Sequence, residues 1–291
     1  MIKPLLTTGD TVGIIACSDG MKENQRIILT NVIKQLSNIG LKIELAKTIF
    51  RVQAELSGTA QERAHELMKL FTNKNIKAIF DISGGDSANQ ILPYLNYQAI
   101  QQNAKPYFGI SDLTVLLNAL TTCSNIPTYH YMIRNLVDEY ADRQLLLFQN
   151  SFMIGKDDIY NINYNWVNGN EMQGMVIGGN IRCFLKLAGT KYLPNANGKI
   201  LFLESLGGSV NRIGSLLAQL KQMNYLQKIS GIILGTFSQL ELEQTQPTKE
   251  EMVLNITSDL NIPIIRTSEL GHGKNAHCLV IGKQYSFRKK K

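Results

Sequence analysis

Thr11-Val-Gly-Ile-Ile-Ala16, followed by Ile28, Val32, Leu36 and Ile39 at helical spacing and closed by Gly40, reads as a strand and then a helix. The alternation recurs in Leu41-Lys-Ile-Glu-Leu-Ala46, a helical pattern around Ala60 to Thr72, Lys77-Ala-Ile-Phe-Asp-Ile82, a short helix near Ala88, and Pro106-Tyr-Phe-Gly-Ile110. Leu113, Leu116, Leu117 and Leu120 then share one helical face, which predicts an amphipathic helix, before a short strand at Thr128. Alternating strands and helices predict an α/β fold with a mostly parallel sheet covered by helices, and ligands at the carboxyl ends of its strands.

From about Asp138 to Asn170 the chain turns polar and Asn-rich and loses periodicity, which predicts a linker. Beyond it come Met175-Val-Ile177, the apolar run Lys199-Ile-Leu-Phe-Leu203, a helix from about Val210 to Met223, Gly231-Ile-Ile-Leu-Gly-Thr-Phe237 and a helix near Glu250 to Leu260. Ile262-Pro-Ile-Ile265 and a terminal hairpin, Cys278 to Gly282 with Gln284 to Phe287, complete a second α+β unit.

The 291 residues are 44% apolar and 18% charged, too apolar for a disordered chain and long enough for two cores. Of the formal net charge of +7, four positive charges sit in the run Arg288 to Lys291, so the body is only mildly basic and a nucleic-acid partner is not expected. Cys17, Cys123, Cys183 and Cys278 are scattered, with no metal-ligand spacing, so neither a metal nor a disulfide is expected. The N-terminal residues lack the pattern of a secretory leader and no window approaches the ~18 apolar residues of a span. A cytoplasmic protein with no membrane partner is the expectation.

Gly109-Ile-Ser-Asp112 lies between a strand and a helix, the setting of a nucleophile elbow, where Ser111 would project its hydroxyl and the Asp112 N–H would face a developing oxyanion. An ordinary helix cap fits the same tetrapeptide, since the second glycine of G-x-S-x-G is absent. Ser83-Gly-Gly-Asp-Ser87 also follows a strand. Its glycines suit a second oxyanion donor or, equally, a tight turn, and no dinucleotide or P-loop fingerprint accompanies them. Glu204, ending an apolar strand, needs a partner: a lysine, a helix N-terminus or a histidine whose tautomer it fixes. Of four histidines, His65 falls on a helix surface, His130 at a strand end and His277 at the start of the terminal hairpin. His272 sits in a glycine-flanked loop after a strand, completing the order Ser, acid, His found in one class of serine hydrolases.

Taken in order, Gly9-Asp-Thr-Val-Gly-Ile-Ile-Ala16, Gly84-Gly85 with Ile91-Leu-Pro-Tyr-Leu95, Gly109-Ile-Ser-Asp112, Gly178-Gly-Asn180, Gly189-Thr190, Leu201-Phe-Leu-Glu204 and Gly271-His272 resemble the LD-carboxypeptidase family of serine peptidases. That family includes muramoyltetrapeptide carboxypeptidases and microcin C self-immunity proteins. The resemblance implies Ser111 as nucleophile, His272 as general base and acid, Glu204 as its orienting carboxylate, and backbone N–H groups near Gly85, Asp86 and Asp112 as the oxyanion hole. It also implies an α/β domain over residues 1–150, a linker over 151–172, a smaller α+β domain over 173–291, a site in the cleft between them, and a homodimer. No cofactor is implied. Peptidoglycan-type members usually read Arg-Gly-Gly-Tyr-Gly where this chain has Ser83-Gly-Gly-Asp-Ser87; that stretch and Tyr131-Met-Ile-Arg-Asn135 look more like the immunity branch, whose members stack a loop aromatic on a nucleotide base, a role open to Trp166 alongside that of anchoring the linker to a domain.

The expected reaction is therefore hydrolysis of an amide near the end of a small peptide, such as the L-to-D bond of a muropeptide tetrapeptide, or of the amide joining a peptidyl or aminoacyl group to a nucleotide. Arg134, Asn180, Arg182 and Trp166 are candidate substrate contacts. A two-lobed, non-catalytic binding protein is the alternative of another class. Base catalysis by His272 requires an unprotonated imidazole, so kcat/KM should fall on the acid side; a profile flat into strong acid would count against it.

Overall fold

The computed structural model describes residues 3–289, so Lys290 and Lys291 of the basic run lie outside the described residues. Strands β1 (Thr11–Ile15), β2 (Lys42–Leu45), β3 (Ile76–Asp81), β4 (Tyr107–Gly109) and β5 (Thr128–His130) come from the first half. The second half supplies β6 (Asn165–Asn168), β7 (Glu171–Asn180), β8 (Ile200–Ser205), β9 (Gly231–Phe237), β10 (Ile264–Arg266), β11 (Leu279–Ile281) and β12 (Gln284–Arg288). They form two six-stranded sheets, ordered β11-β5-β4-β3-β1-β2 and β12-β7-β8-β9-β10-β6. β1 to β5 run parallel, as do β7 to β10; the strands at one edge of the first sheet and both edges of the second are antiparallel. The α/β alternation is thus present in both halves.

The terminal strands are not a hairpin. β11 pairs with β5 in the first sheet and β12 with β7 in the second, so the last residues tie the sheets together. Gly282, at φ +85°, turns the chain between them. The stretch 151–172 carries structure of its own: Phe152 and Ile159 are fully buried in the first core and β6 borders the second sheet.

The helix Thr114–Ser124 is buried on nearly every side rather than amphipathic, because it lies between the sheets. Its polar residues bond the second sheet: Asn118 Nδ2 donates to Gly178 O at 2.9 Å, Gly178 N–H returns to Asn118 Oδ1 at 2.9 Å, and Asn180 N–H donates to Thr114 Oγ1 at 3.0 Å. A Phe80–Phe108–Tyr129 stack, with centroids 4.4 and 4.6 Å apart, fills the first sheet's core. Among the described residues no helix is long and apolar enough to cross a membrane.

Candidate active site

The loops after β1, β3 and β4 lie at carboxyl ends of the first sheet, and Glu204 and His272 at carboxyl ends of β8 and β10 in the second. Bonds between the helix after β4 and the end of β7 bring these two edges together, where parallel α/β sheets place ligands.

Ser111 follows β4 with φ +63°, a left-handed conformation that costs a non-glycine residue roughly 1–2 kcal/mol. Its hydroxyl caps nothing: the cap position is Ile110, with no side-chain capping bond. A strained serine at a strand-to-helix turn without a capping role is the geometry of a presented nucleophile. The following Asp112 is fully buried and pins the turn by accepting from Ser18 Oγ at 2.6 Å, Ala88 N–H at 2.8 Å and Lys186 Nζ at 2.5 Å.

Glu204 is fully buried, and its Oε2 lies 2.6 Å from His272 Nδ1. A carboxylate at Nδ1 holds the proton there and leaves Nε2 as the acceptor a general base requires. The His272 N–H donates to Thr236 Oγ1 at 3.2 Å. Gly271, at φ +121°, makes this approach possible: a Cβ there would stand 2.2 Å from Thr236 Oγ1. Gly271→Ala should therefore destabilise the fold by roughly 1–3 kcal/mol, read from the urea midpoint, and lower kcat by displacing His272.

The loop after β3 passes beside the serine, since a Cβ on Gly84 would sit 3.8 Å from Ser111 Oγ. Gly85, at φ +135°, packs so closely on Asp19 that a Cβ would fall 2.2 Å from its carboxylate. Among the described residues the Gly85 N–H has no protein acceptor, whereas the Asp86 N–H donates to Asp19 Oδ1 at 3.2 Å, so in this conformation Asp86 is engaged elsewhere.

The helix Ile181–Leu185 clamps this loop from the second half. Arg182 donates to Asp86 Oδ1 and, at 3.2 Å, to Gly85 O, while Lys186 Nζ bridges Asp86 O at 2.9 Å and Asp112. Arg182, a candidate for the substrate's charge, is occupied by this clamp. Lys186 was not marked by the sequence, where it is one lysine among many. Lys186→Met leaves a buried Asp112 without its cation and should cost about 3 kcal/mol in chemical denaturation.

A cleft of about 230 Å³ is lined by Ser111, His272, Gly84, Gly85, Arg134 and Asp19 among others, while Glu204 and Asp112 lie outside its lining. A larger groove of about 750 Å³ elsewhere, lined by Tyr164, Lys249 and Arg266 among others, contains neither Ser111, Glu204 nor His272. Arg134 is half-buried in the cleft and, among the described residues, has no carboxylate in ion-pair contact; its side chain bonds Met132 Sδ at 3.7 Å, and burial lowers its pKa against the pull of Asp138. Asn180 stands opposite Glu204 in the β7–β8 register, but its side chain caps the next helix through Cys183 N–H at 3.3 Å. Trp166, on edge strand β6, packs edge-on to Tyr164 and lines a separate hollow with Asn163 and Arg288.

His65 is exposed and His277 Nδ1 lies 2.6 Å from Asn161 O. His130 is buried behind the site, and burial pushes its pKa down from 6.5 to about 4, outweighing the nearby Glu204. Its folded-state pKa is depressed, so its contribution is complete above pH 6.5 and is lost as pH falls through about 4. Unfolding free energy should drop by about 3 kcal/mol across that window, at ~1.4 kcal/mol per pH unit, and His130→Gln should remove that part of the slope.

A two-sheet α/β fold that puts Ser111 and His272 in the lining of one cleft, with Glu204 on His272 Nδ1, has the arrangement expected of a hydrolase of the serine-peptidase kind. Residues 12–131 match the LD-carboxypeptidase N-terminal domain and residues 173–287 the LD-carboxypeptidase C-terminal domain. The chain belongs to the LD-carboxypeptidase family. It is 26% identical to the microcin C7 self-immunity protein MccF of Escherichia coli, covering 92% of this chain and 87% of that one. To the murein tetrapeptide carboxypeptidase of Pseudomonas aeruginosa it is 25% identical, covering 88% and 87%. MccF solved in complex with aspartyl sulfamoyl adenosine superposes with a TM-score of 0.86 at 23% identity, over 98% of this chain and 95% of that one. The muramoyltetrapeptide carboxypeptidase of Oxalobacter formigenes gives 0.79 at 22% identity, over 96% and 95%.

Proposed function

We propose that this carboxypeptidase hydrolyses the L-to-D amide that ends a muropeptide tetrapeptide, with Ser111, His272 and Glu204 as its triad. The observation that carries the reading is the 2.6 Å contact of buried Glu204 with His272 Nδ1, which turns Nε2 into a base in the cleft that Ser111 lines. Ser111 Oγ attacks the scissile carbonyl while His272 Nε2 takes its proton. The oxygen, now negative, receives N–H groups of Gly85 and Asp112. His272 then returns the proton to the departing amine, and water, deprotonated by the same imidazole, releases the acyl group. Arg134, a guanidinium without a carboxylate partner, suits the terminal carboxylate that distinguishes a carboxypeptidase's substrate.

The Ser83-Gly-Gly-Asp-Ser87 loop favours a second reading, cleavage of an aminoacyl-nucleotide amide. Against it, Trp166 lies outside the cleft lining. Incubating the protein and its Ser111→Ala variant with a murein tetrapeptide and, separately, an aminoacyl sulfamoyl adenylate, followed by mass spectrometry, decides between them. Release of terminal D-alanine by the unaltered protein alone supports the proposal. Cleavage of only the adenylate replaces it with the second reading, and turnover of neither overturns both.

A further inference from the structure

Glu204 uses one carboxylate oxygen on His272; the other, Oε1, is buried and makes no hydrogen bond among the described residues. It faces His130 Nε2, itself buried and without a hydrogen-bond partner, at 4.0 Å. His130 ends β5 in the first sheet and Glu204 lies near the end of β8 in the second, so the two orphaned atoms meet across the sheets. The backbone of His130 is fixed between Gly109 of β4 and Leu279 of β11, and its ring packs edge-on to Phe202 at 5.0 Å. A buried carboxylate oxygen left without a donor is costly, as is a buried imidazole nitrogen left unpaired, and with the ring proton on Nε2 one contact relieves both. A side-chain shift of about 1 Å brings the pair to ordinary hydrogen-bond length.

We propose that His130 is a positioning residue for the hydrolysis, donating its Nε2–H to Glu204 Oε1 and so locking the carboxylate plane that keeps Oε2 on His272 Nδ1. The inference rests on the triad reading above. His130 touches neither substrate nor Ser111; it acts through Glu204, as outer partners orient the residues that do the chemistry. Burial keeps its imidazole neutral at ordinary pH, so it serves as a donor without adding charge beside the His272 imidazolium that forms during the reaction. A neutral donor fixes the carboxylate's plane while drawing off less of its charge than a second cation would.

The test uses the full chain and a fluorophosphonate probe, which reports serine reactivity independently of which amide is the natural substrate. Wild type, Ser111→Ala, His130→Gln and His130→Leu are compared for labelling rate, for saturation by the probe and for the downfield imidazole N–H proton resonance of the Glu204–His272 contact. His130→Leu should slow maximal labelling about tenfold or more with half-saturation unchanged, and shift or abolish the resonance. His130→Gln, which keeps an N–H donor at similar reach, should stay within about threefold of wild type and keep the resonance. Wild-type rates in His130→Leu overturn the proposal. So does His130→Gln as slow as His130→Leu, which would mark a packing role. Labelling of Ser111→Ala at the wild-type rate, or none of wild type, would instead remove the triad reading and this inference with it.

Discussion

Ser111→Ala should lower kcat by at least about 10⁴-fold while leaving the cooperative unfolding transition in place, as expected when a nucleophile is removed and the remaining machinery still binds. Alanine at φ +63° carries the same backbone strain as serine, so the fold loses little. Ser111→Gly sharpens the result. Glycine adopts the left-handed region without penalty, so this variant should be equally inactive yet about 1 kcal/mol more stable in urea titration. Opposite movements of activity and stability at one residue would show that the turn stores strain to present the hydroxyl. A Ser111→Gly variant with wild-type activity, or one markedly less stable, would contradict both the role and the strain.

Glu204→Gln should lower kcat by about 10³–10⁴-fold with KM nearly unchanged. The side chain keeps its volume in a fully buried site, so binding survives. An amide group turned toward His272 Nδ1 can present an N–H, which favours the tautomer with the proton on Nε2, the wrong nitrogen for a base facing Ser111. Steady-state kinetics with the unaltered substrate separates the two constants. A rise in KM alone would mean that Glu204 shapes the cleft without orienting the base.

Most strands of both halves were legible because their apolar runs are short and bounded by polar or glycine residues, signals that are local; β6 (Asn165–Asn168), inside the stretch expected to be a linker, was not. Ser111 could be singled out for the same reason: a serine between an apolar strand and a helix is visible in a tetrapeptide. What it does there was not visible, since a cap and a nucleophile share that sequence; its φ of +63° and the absence of a capping bond remove the cap reading. The helix Thr114–Ser124 misled for a related reason. Its leucines show helical spacing, but the burial of Thr114 and Asn118 depends on a second sheet contributed by residues far along the chain.

Local pattern determined the alternation of strands and helices and the presence of an elbow serine, a strand-end glutamate and a loop histidine, because each depends on neighbours within a few residues. The resemblance added their roles. Tertiary structure alone decided that Glu204 meets His272 across 68 positions, that Lys186 and Arg182 hold the loop beside Ser111, that β11 and β12 part to different sheets, and that Trp166 stands outside the cleft lining. Those outcomes follow from strand order and from which edges of two sheets face each other, and residue spacing along one chain carries no direct record of either.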